Sequence, residues 1–162
     1  MKIRRMSESD AQKAHKVFYD AVHAVDETYY SAEQKSAWAP EEYDEASFCR
    51  RVSSGFALVA VDTDANGEET IVAYGNIDES GYIDHLYVTG KQQGKGIANV
   101  LCDELENYAT EKGVKRLTVH ASLNAKEFFL YRGYKLVSQR KVVRKGIEMV
   151  NYLMEKPVET EV

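Results

Sequence analysis

The sequence predicts an α+β (α/β) domain in which one central, mostly antiparallel, twisted sheet is flanked by helices. Three observations carry this. With 162 residues the chain can bury one full core without disulfide or metal support. Between residues 56 and 88 three apolar runs follow one another through short turns, the pattern of consecutive hairpins. The last of these runs then passes through a glycine-rich turn directly into an amphipathic helix, which adds a helical layer to the sheet.

Lys2 to Met6 reads as a first strand. Ser7 and Asp10 form an N-cap pair opening a helix through about Ala24, in which Ala11, Ala14, Val17, Phe18, Ala21 and Val22 recur at helical spacing. Ser31 with Gln34 has the capping-box pattern of a short second helix ending before Pro40, and Pro40-Glu41-Glu42 reads as the start of another that runs to about Ser53. Phe56 to Asp62 and Thr70 to Asp78 are strands joined at Asp64-Ala65-Asn66-Gly67, where Asn-Gly is a strong hairpin signal. Tyr82 to Val88 follows through Glu79-Ser80-Gly81. The helix after the glycine loop runs to about Lys112 and stops at Gly113 in the manner of a C-cap. Lys115 to Ala121, a short helix through Arg132, and strands near Lys135 to Val143 and Glu148 to Glu155 complete the order. A single domain over residues 1–156 is expected, with 157–162 as a loose C-terminal tail.

Composition narrows the function. There are 21 basic and 26 acidic residues, and the net charge of −5 argues against nucleic acid as a partner and leans toward a cationic amine. No apolar run reaches 18 residues, and Met1 leads straight into Lys2, Arg4 and Arg5 around Ile3, so the expectation is a cytoplasmic protein without a membrane partner. Cys49 and Cys102 are too few and too far apart for a disulfide framework or a metal site, so no metal is expected.

The stretch from Leu86 to Ala98 carries the chemistry. Gly94 and Gly96 allow backbone conformations closed to residues with a Cβ, so successive N–H groups can converge on an anion at the positive end of the next helix. A nucleotide-triphosphatase loop would need Lys-Ser or Lys-Thr after its last glycine, but Ile97-Ala98 stands there. A dinucleotide fingerprint would need a third small residue and an acidic residue about 20 positions on, where Asn99 and Arg116 sit instead. What remains, Gln93-x-x-Gly96-x-Ala98, resembles the Gln/Arg-x-x-Gly-x-Gly/Ala signature of the GNAT N-acetyltransferases. Ser122 to Tyr134 resembles a second landmark of that family, a short helix ending in Gly-Phe or Gly-Tyr, and the resemblance spans about residues 2–156. Ala21-Val22-His23 and the run from Tyr30 through Ala37-Trp38-Ala39-Pro40 look like a bacterial subgroup mostly described only as uncharacterised N-acetyltransferases.

The resemblance implies the GNAT acyl-CoA N-acyltransferase fold, of order βααβββαβαββ, with acetyl-coenzyme A as co-substrate and an amine on a small molecule or peptide as acceptor. The amides from Gln93 through Gly94, Lys95, Gly96 and Ile97 to Ala98 would hold its pyrophosphate, and backbone groups at Leu86, Tyr87 and Val88 would pair with the pantetheine and polarise the thioester. Ser122 stands where the family often has asparagine, and Phe129 where it usually has a general-acid tyrosine. A phenyl ring donates no proton. Tyr131, the neighbouring alternative, lies about 200° further around an ideal helix. For the base, Asp84 and His85 lie under the expected acetyl position, and strict alternation would put them on opposite faces. His23, Tyr30 and Trp38 fall in the helical region that covers the acceptor, where Trp38 fits a core anchor as well as a substrate wall. Cys102 lies on the core-facing stretch of its helix, which favours direct transfer in a ternary complex over an acetyl-cysteine. The run Arg140 to Lys145 reads as a solvated hairpin ahead of a contact for the 3′-phosphate of coenzyme A or an acidic partner, and the exposed C-terminal strands offer a surface for a homodimer. A non-catalytic acyl-coenzyme A binding module is the alternative that Phe129 keeps open.

Overall fold

The computed structural model describes residues 1–158; the remainder of the expected tail, 159–162, lies outside the described residues. Strand β1 (Lys2–Arg5) leads through a 3-10 turn into α1 (Ala11–His23), followed by α2 (Ala32–Trp38) and α3 (Glu45–Ser53). Strands β2 (Phe56–Thr63), β3 (Glu69–Ile77) and β4 (Tyr82–Val88) come next, then α4 (Ile97–Glu111), β5 (Arg116–Ser122), α5 (Lys126–Tyr131), β6 (Lys135–Arg144) and β7 (Ile147–Pro157). They form one seven-stranded sheet in the order β1-β2-β3-β4-β5-β7-β6.

Local chemistry accounts for most boundaries. The Ser7 N–H donates to Asp10 Oδ2 at 2.8 Å. The Ser31–Gln34 box closes both ways, at 3.1 Å and 2.9 Å. Gly67, at φ 81, closes the β2–β3 turn with its N–H on the Asp64 carbonyl at 3.0 Å. The third helix differs from expectation: it starts not at Pro40 but at Glu45, because the Asp44 carboxylate accepts the Ser47 N–H at 3.0 Å and so supplies the cap. At the other end, β7 continues to Pro157, and the Val158 N–H donates to the Lys115 carbonyl at 2.9 Å, two residues past the expected boundary.

The sheet is covered on both faces. On one, Leu101 and Leu105 of α4 pack against Leu58, Ile77 and Ile83. On the other, Ala14, Val17 and Val22 of α1 pack with Val52 of α3 against Val59, Val61 and Tyr74. Each fully buried leucine or valine contributes on the order of 2 kcal/mol of burial. No helix among the described residues is long and apolar enough to cross a membrane.

Strands β4 and β5 are the parallel pair, and they meet only at Tyr82↔Thr118 and Ile83↔Val119. Beyond Ile83 they diverge. Just behind that junction Gly81, at φ +91, carries a carbonyl that accepts the Thr118 N–H at 3.0 Å, and a Cβ there would stand 2.5 Å from the Arg116 carbonyl oxygen. Only glycine permits this approach.

Candidate active site

The divergence of β4 from β5 opens a cavity of about 340 Å³. Its floor is β4 from Tyr82 to Tyr87, its far wall β5 from Val119 to Ser122, and Tyr30, Trp38 and Phe129 close parts of the rim. The open half of β4 keeps its pairing to β3 on one side only, so every second residue directs backbone groups toward the gap.

A bulge shapes the floor. Asn76 pairs with His85 and Ile77 with Ile83, which leaves Asp84 as the extra residue on β4. The Asn76 side chain repairs the ladder, since its Oδ1 accepts the His85 N–H at 2.9 Å while its Nδ2 donates to the Arg51 carbonyl at 3.1 Å. The bulge breaks the alternation expected of the strand. Asp84 and His85 therefore both line the cavity, with Asp84 Oδ2 and His85 Nε2 3.6 Å apart.

Each is held in a definite state. Arg51 grips both Asp84 oxygens, Nη2 to Oδ1 at 2.8 Å and Nε to Oδ2 at 2.9 Å. Burial is the largest influence and alone would raise the Asp84 pKa, but the Arg51 hydrogen bonds together with the charge of Arg51 and the neighbouring histidines hold the carboxylate below its ordinary value. Burial pushes His85 down to about 4, partly offset by the Asp84 charge, so the ring is neutral at pH 7. Its Nδ1 lies 3.0 Å from the hydroxyl of Tyr74, which is fully buried. That hydroxyl makes no other hydrogen bond among the described residues, and an unsatisfied O–H costs about 1–3 kcal/mol. Tyr74 therefore donates to Nδ1, and the ring proton sits on Nε2, which is buried and has no hydrogen-bond partner.

The glycine loop lies at the far end of β4. Gly94 at φ 80 and Gly96 at φ 82 both occupy the left-handed region, and no protein atom lies within 4 Å of where a Cβ would stand on either. Gln93 Nε2 donates back to the Val88 carbonyl at 3.2 Å, tying the loop to the strand. The Val100 N–H takes the Gly96 carbonyl, so the N–H groups before it open α4 without helical partners. Lys95 is exposed at the rim and Ile97 is buried, while Ala98 is half-buried.

The other expected residues separate into two groups. Leu86, Tyr87, Ser122, Phe129, Tyr30 and Trp38 line the cavity. Val88 instead joins the core under α4. The Tyr30 hydroxyl is fully used, donating to the Val150 carbonyl at 2.6 Å and accepting the Leu123 N–H at 2.9 Å. His23 bonds the Ala39 carbonyl through Nε2 at 2.8 Å and pins α1 to the end of α2, off the cavity. Tyr131 is 91% exposed and points away from it. Cys102 is buried on the core-facing side of α4, its thiol pushed up by burial and hydrogen-bonded to Glu106.

Sequence reasoning missed Arg51, separated by 33 residues from the aspartate it holds. It also read the Arg140–Lys145 run as solvated, whereas Arg140, Val142 and Arg144 line the cavity. The two-residue spacing of Arg140 and Arg144 across Val142 was the available signal. His120, on β5, lines the cavity too and bonds the Tyr82 hydroxyl through Nδ1 at 3.0 Å.

A sheet parted at a parallel β4–β5 junction, a bulged floor and a positive-φ glycine turn at the start of α4 fit an acyltransferase scaffold. Comparison with known proteins agrees. Residues 26–156 match the model of the acetyltransferase (GNAT) domain, and the chain belongs to that family. The uncharacterized N-acetyltransferase YafP of Escherichia coli K12 is 29% identical over 154 residues, covering 95% of this chain and 94% of that protein. A GCN5-related N-acetyltransferase from Rhodopseudomonas palustris superposes with a TM-score of 0.88 at 32% identity, over 97% of this chain and 95% of the other. YncA of Salmonella typhimurium, solved with acetyl-CoA, shares the fold at a TM-score of 0.67 and 18% identity, over 100% of this chain and 96% of its own.

Proposed function

We propose that this acyltransferase moves acetyl from acetyl-coenzyme A directly to the primary amine of a small molecule or peptide within a ternary complex. The observation that carries the reading is that one strand, β4, ends in the anion cradle and exposes an unpaired edge to the cavity. The residues present fit the co-substrate. The positive-φ glycines leave open space beside unpartnered N–H groups, which suits a pyrophosphate, and the half-unpaired strand suits the amides of a pantetheine. When bound, acetyl-coenzyme A supplies the acetyl group as a thioester whose sulfur is a fair leaving group.

The chain's own groups do the rest. Backbone N–H groups of the open half of β4 point where negative charge gathers on the carbonyl oxygen. The acceptor must lose a proton, because an ammonium has no lone pair. Asp84, kept ionised by Arg51, has a second lone pair on each oxygen beyond the Arg51 hydrogen bonds and accepts that proton directly or through water. His85, which lines the cavity and carries its proton on the buried Nε2, offers a donor there rather than an acceptor. Phe129 supplies no acid, so the thiolate leaves unassisted or through water.

Thiol release from acetyl-coenzyme A, followed with a thiol reagent across a panel of amines, tests the reading, with binding of desulfo-coenzyme A as control. Amine-dependent release supports it. Binding without release for any amine would favour the second reading that Phe129 motivates, a module that binds acyl-coenzyme A without turnover. Absence of binding would remove the cofactor from the proposal.

A further inference from the structure

The cavity wall facing β4 is cationic, although the whole chain carries a net charge of −5. Arg140 and Arg144 project from β6 toward the cavity, and neither makes an ion pair among the described residues. Arg140 Nη1 donates to the neutral side chain of Asn151 at 3.1 Å. Among the described residues lining the cavity, Asp84 is the one carboxylate, and its charge is already met by Arg51. Burial holds both His85 and His120 below the ordinary histidine pKa, so both rings are neutral near pH 7 and leave this imbalance unchanged.

A second hollow of about 220 Å³ adjoins the first and shares Trp38, Arg51, His85 and Arg144 with it. Phe18 is shared as well, and the other walls include the aromatic rings of Tyr43 and Phe48. The acid on its lining, Asp44, uses Oδ1 to cap α3. His85, whose Nε2 is buried, protonated and without a hydrogen-bond partner, lines both hollows. Arg144 is near enough for its charge to act on Tyr30, His85 and Tyr87 together. Unpaired donors at the mouth of an aromatic slot call for an acceptor group with negative charge and an apolar body.

We infer that the amine substrate also carries a carboxylate on an aromatic or apolar body, with the carboxylate held by Arg144, Arg140 and the His85 Nε2–H, and the body seated on the aromatic wall. This rests on the acetyl-transfer reading above and replaces the cationic acceptor that net charge alone favours. A polyamine would meet two arginines without ion-pair partners, with Asp84 already paired to Arg51 and Asp44 the remaining carboxylate, on the lining of the second hollow. The same arginines could instead serve phosphates of the coenzyme, because the register places Arg140 level with Ser122 and Arg144 beyond it, at the end of the sheet where β4 enters the glycine loop; neither Gly94 nor Gly96 lines this cavity, and titration of the coenzyme-saturated chain separates the two roles.

Calorimetric titration of the full chain, saturated with coenzyme A, separates these outcomes without requiring turnover. The probes are 3-phenylpropanoate, 3-phenylpropanamide and spermidine. The acid is expected to bind at least about tenfold more tightly than the amide, a difference of about 1.4 kcal/mol. Arg144→Gln should abolish that preference while leaving coenzyme A affinity unchanged, and Lys141→Gln, an exposed cation on the same strand, should preserve it. Equal binding of acid and amide, tighter binding of spermidine, no binding of the acid, or an Arg144→Gln variant that weakens coenzyme A instead would each overturn the inference. Discrimination of acid from amide by a protein that releases no thiol with L-phenylalanine or any other amine would uphold the subsite while the transfer reading fails.

Discussion

Two carboxylate clusters flank the sheet, built from similar parts and finished differently. Around Glu106 on α4 the network is closed. Tyr134 Oη donates to it at 2.8 Å, Arg132 at 3.1 Å and Lys156 at 3.4 Å, and Arg132, whose side chain is 9% exposed, also reaches Asp103 at 2.7 Å. Burial would raise the Glu106 pKa, but the hydrogen bonds from Tyr134 and Arg132 outweigh it and hold it low. Around Asp84 on β4 the network is open. Its arginine is 57% exposed, its histidine keeps one unpartnered nitrogen, and it faces a cavity. The contrast separates two uses of buried charge. A network whose every group has a partner fastens elements, here α4 to α5 and β7, whereas one left a donor short keeps directional groups ready for a ligand.

The comparison breaks most visibly at its closed side. Glu106→Ala leaves the Arg132 charge and the Tyr134 hydroxyl without their shared acceptor, and a loss of about 3–5 kcal/mol is expected in urea unfolding. A loss below about 1 kcal/mol would show that the network is not what holds α4. Next in size is the pH response of the open side. His85 binds its proton at pH 6.5 when unfolded but only near 4 when folded, so the unfolded state holds more protons between those values. Stability should fall by up to about 3 kcal/mol as pH drops from 6.5 to 4, and His85→Gln should flatten that fall; an unchanged slope in the variant would assign it elsewhere. Gly96→Ala forces a side chain onto φ 82, at a cost of about 1–2 kcal/mol. The Michaelis constant for acetyl-coenzyme A should rise about tenfold, and an unaltered constant would detach the cradle from the cofactor. The smallest effect is expected for Phe129→Tyr. An active protein should change kcat by no more than about threefold, under 1 kcal/mol, whereas turnover seen only in the variant would identify a lapsed acid.

Features encoded within a few residues were legible in the sequence, and those made by distant pairings were not. Ser31 with Gln34, Asn66-Gly67 and the Gly94–Gly96 turn each state their geometry locally, and the structure shows each in the expected form. The cavity-lining positions of Leu86, Tyr87, Ser122 and Phe129 follow once β4, β5 and α5 are placed. The bulge at Asp84 is different, because it arises from the register between β3 and β4, and a period-two reading of β4 alone separates residues that in fact share the cavity. Arg51 and Asp84 meet across the sheet from elements with no common pattern. Arg140 and Arg144 lie beside the cavity because β6 folds back along β7 next to β5, an adjacency invisible in a run of basic residues.

The contact at Gly81 makes the cavity a lever as well as a void. Tyr82 and Ile83 fasten β4 to β5 like the pin of a clothes peg, with Gly81 on the short arm behind the pin and the stretch to Val88, roughly 17 Å of extended chain, as the long arm in front. A methyl group wedged against the Arg116 carbonyl would spread the short arm and swing the long arm the other way, so a sub-ångström push there narrows the jaws by a multiple of itself. Jaw width is thereby set outside the jaws, by how closely two backbones can touch at a residue that meets no substrate.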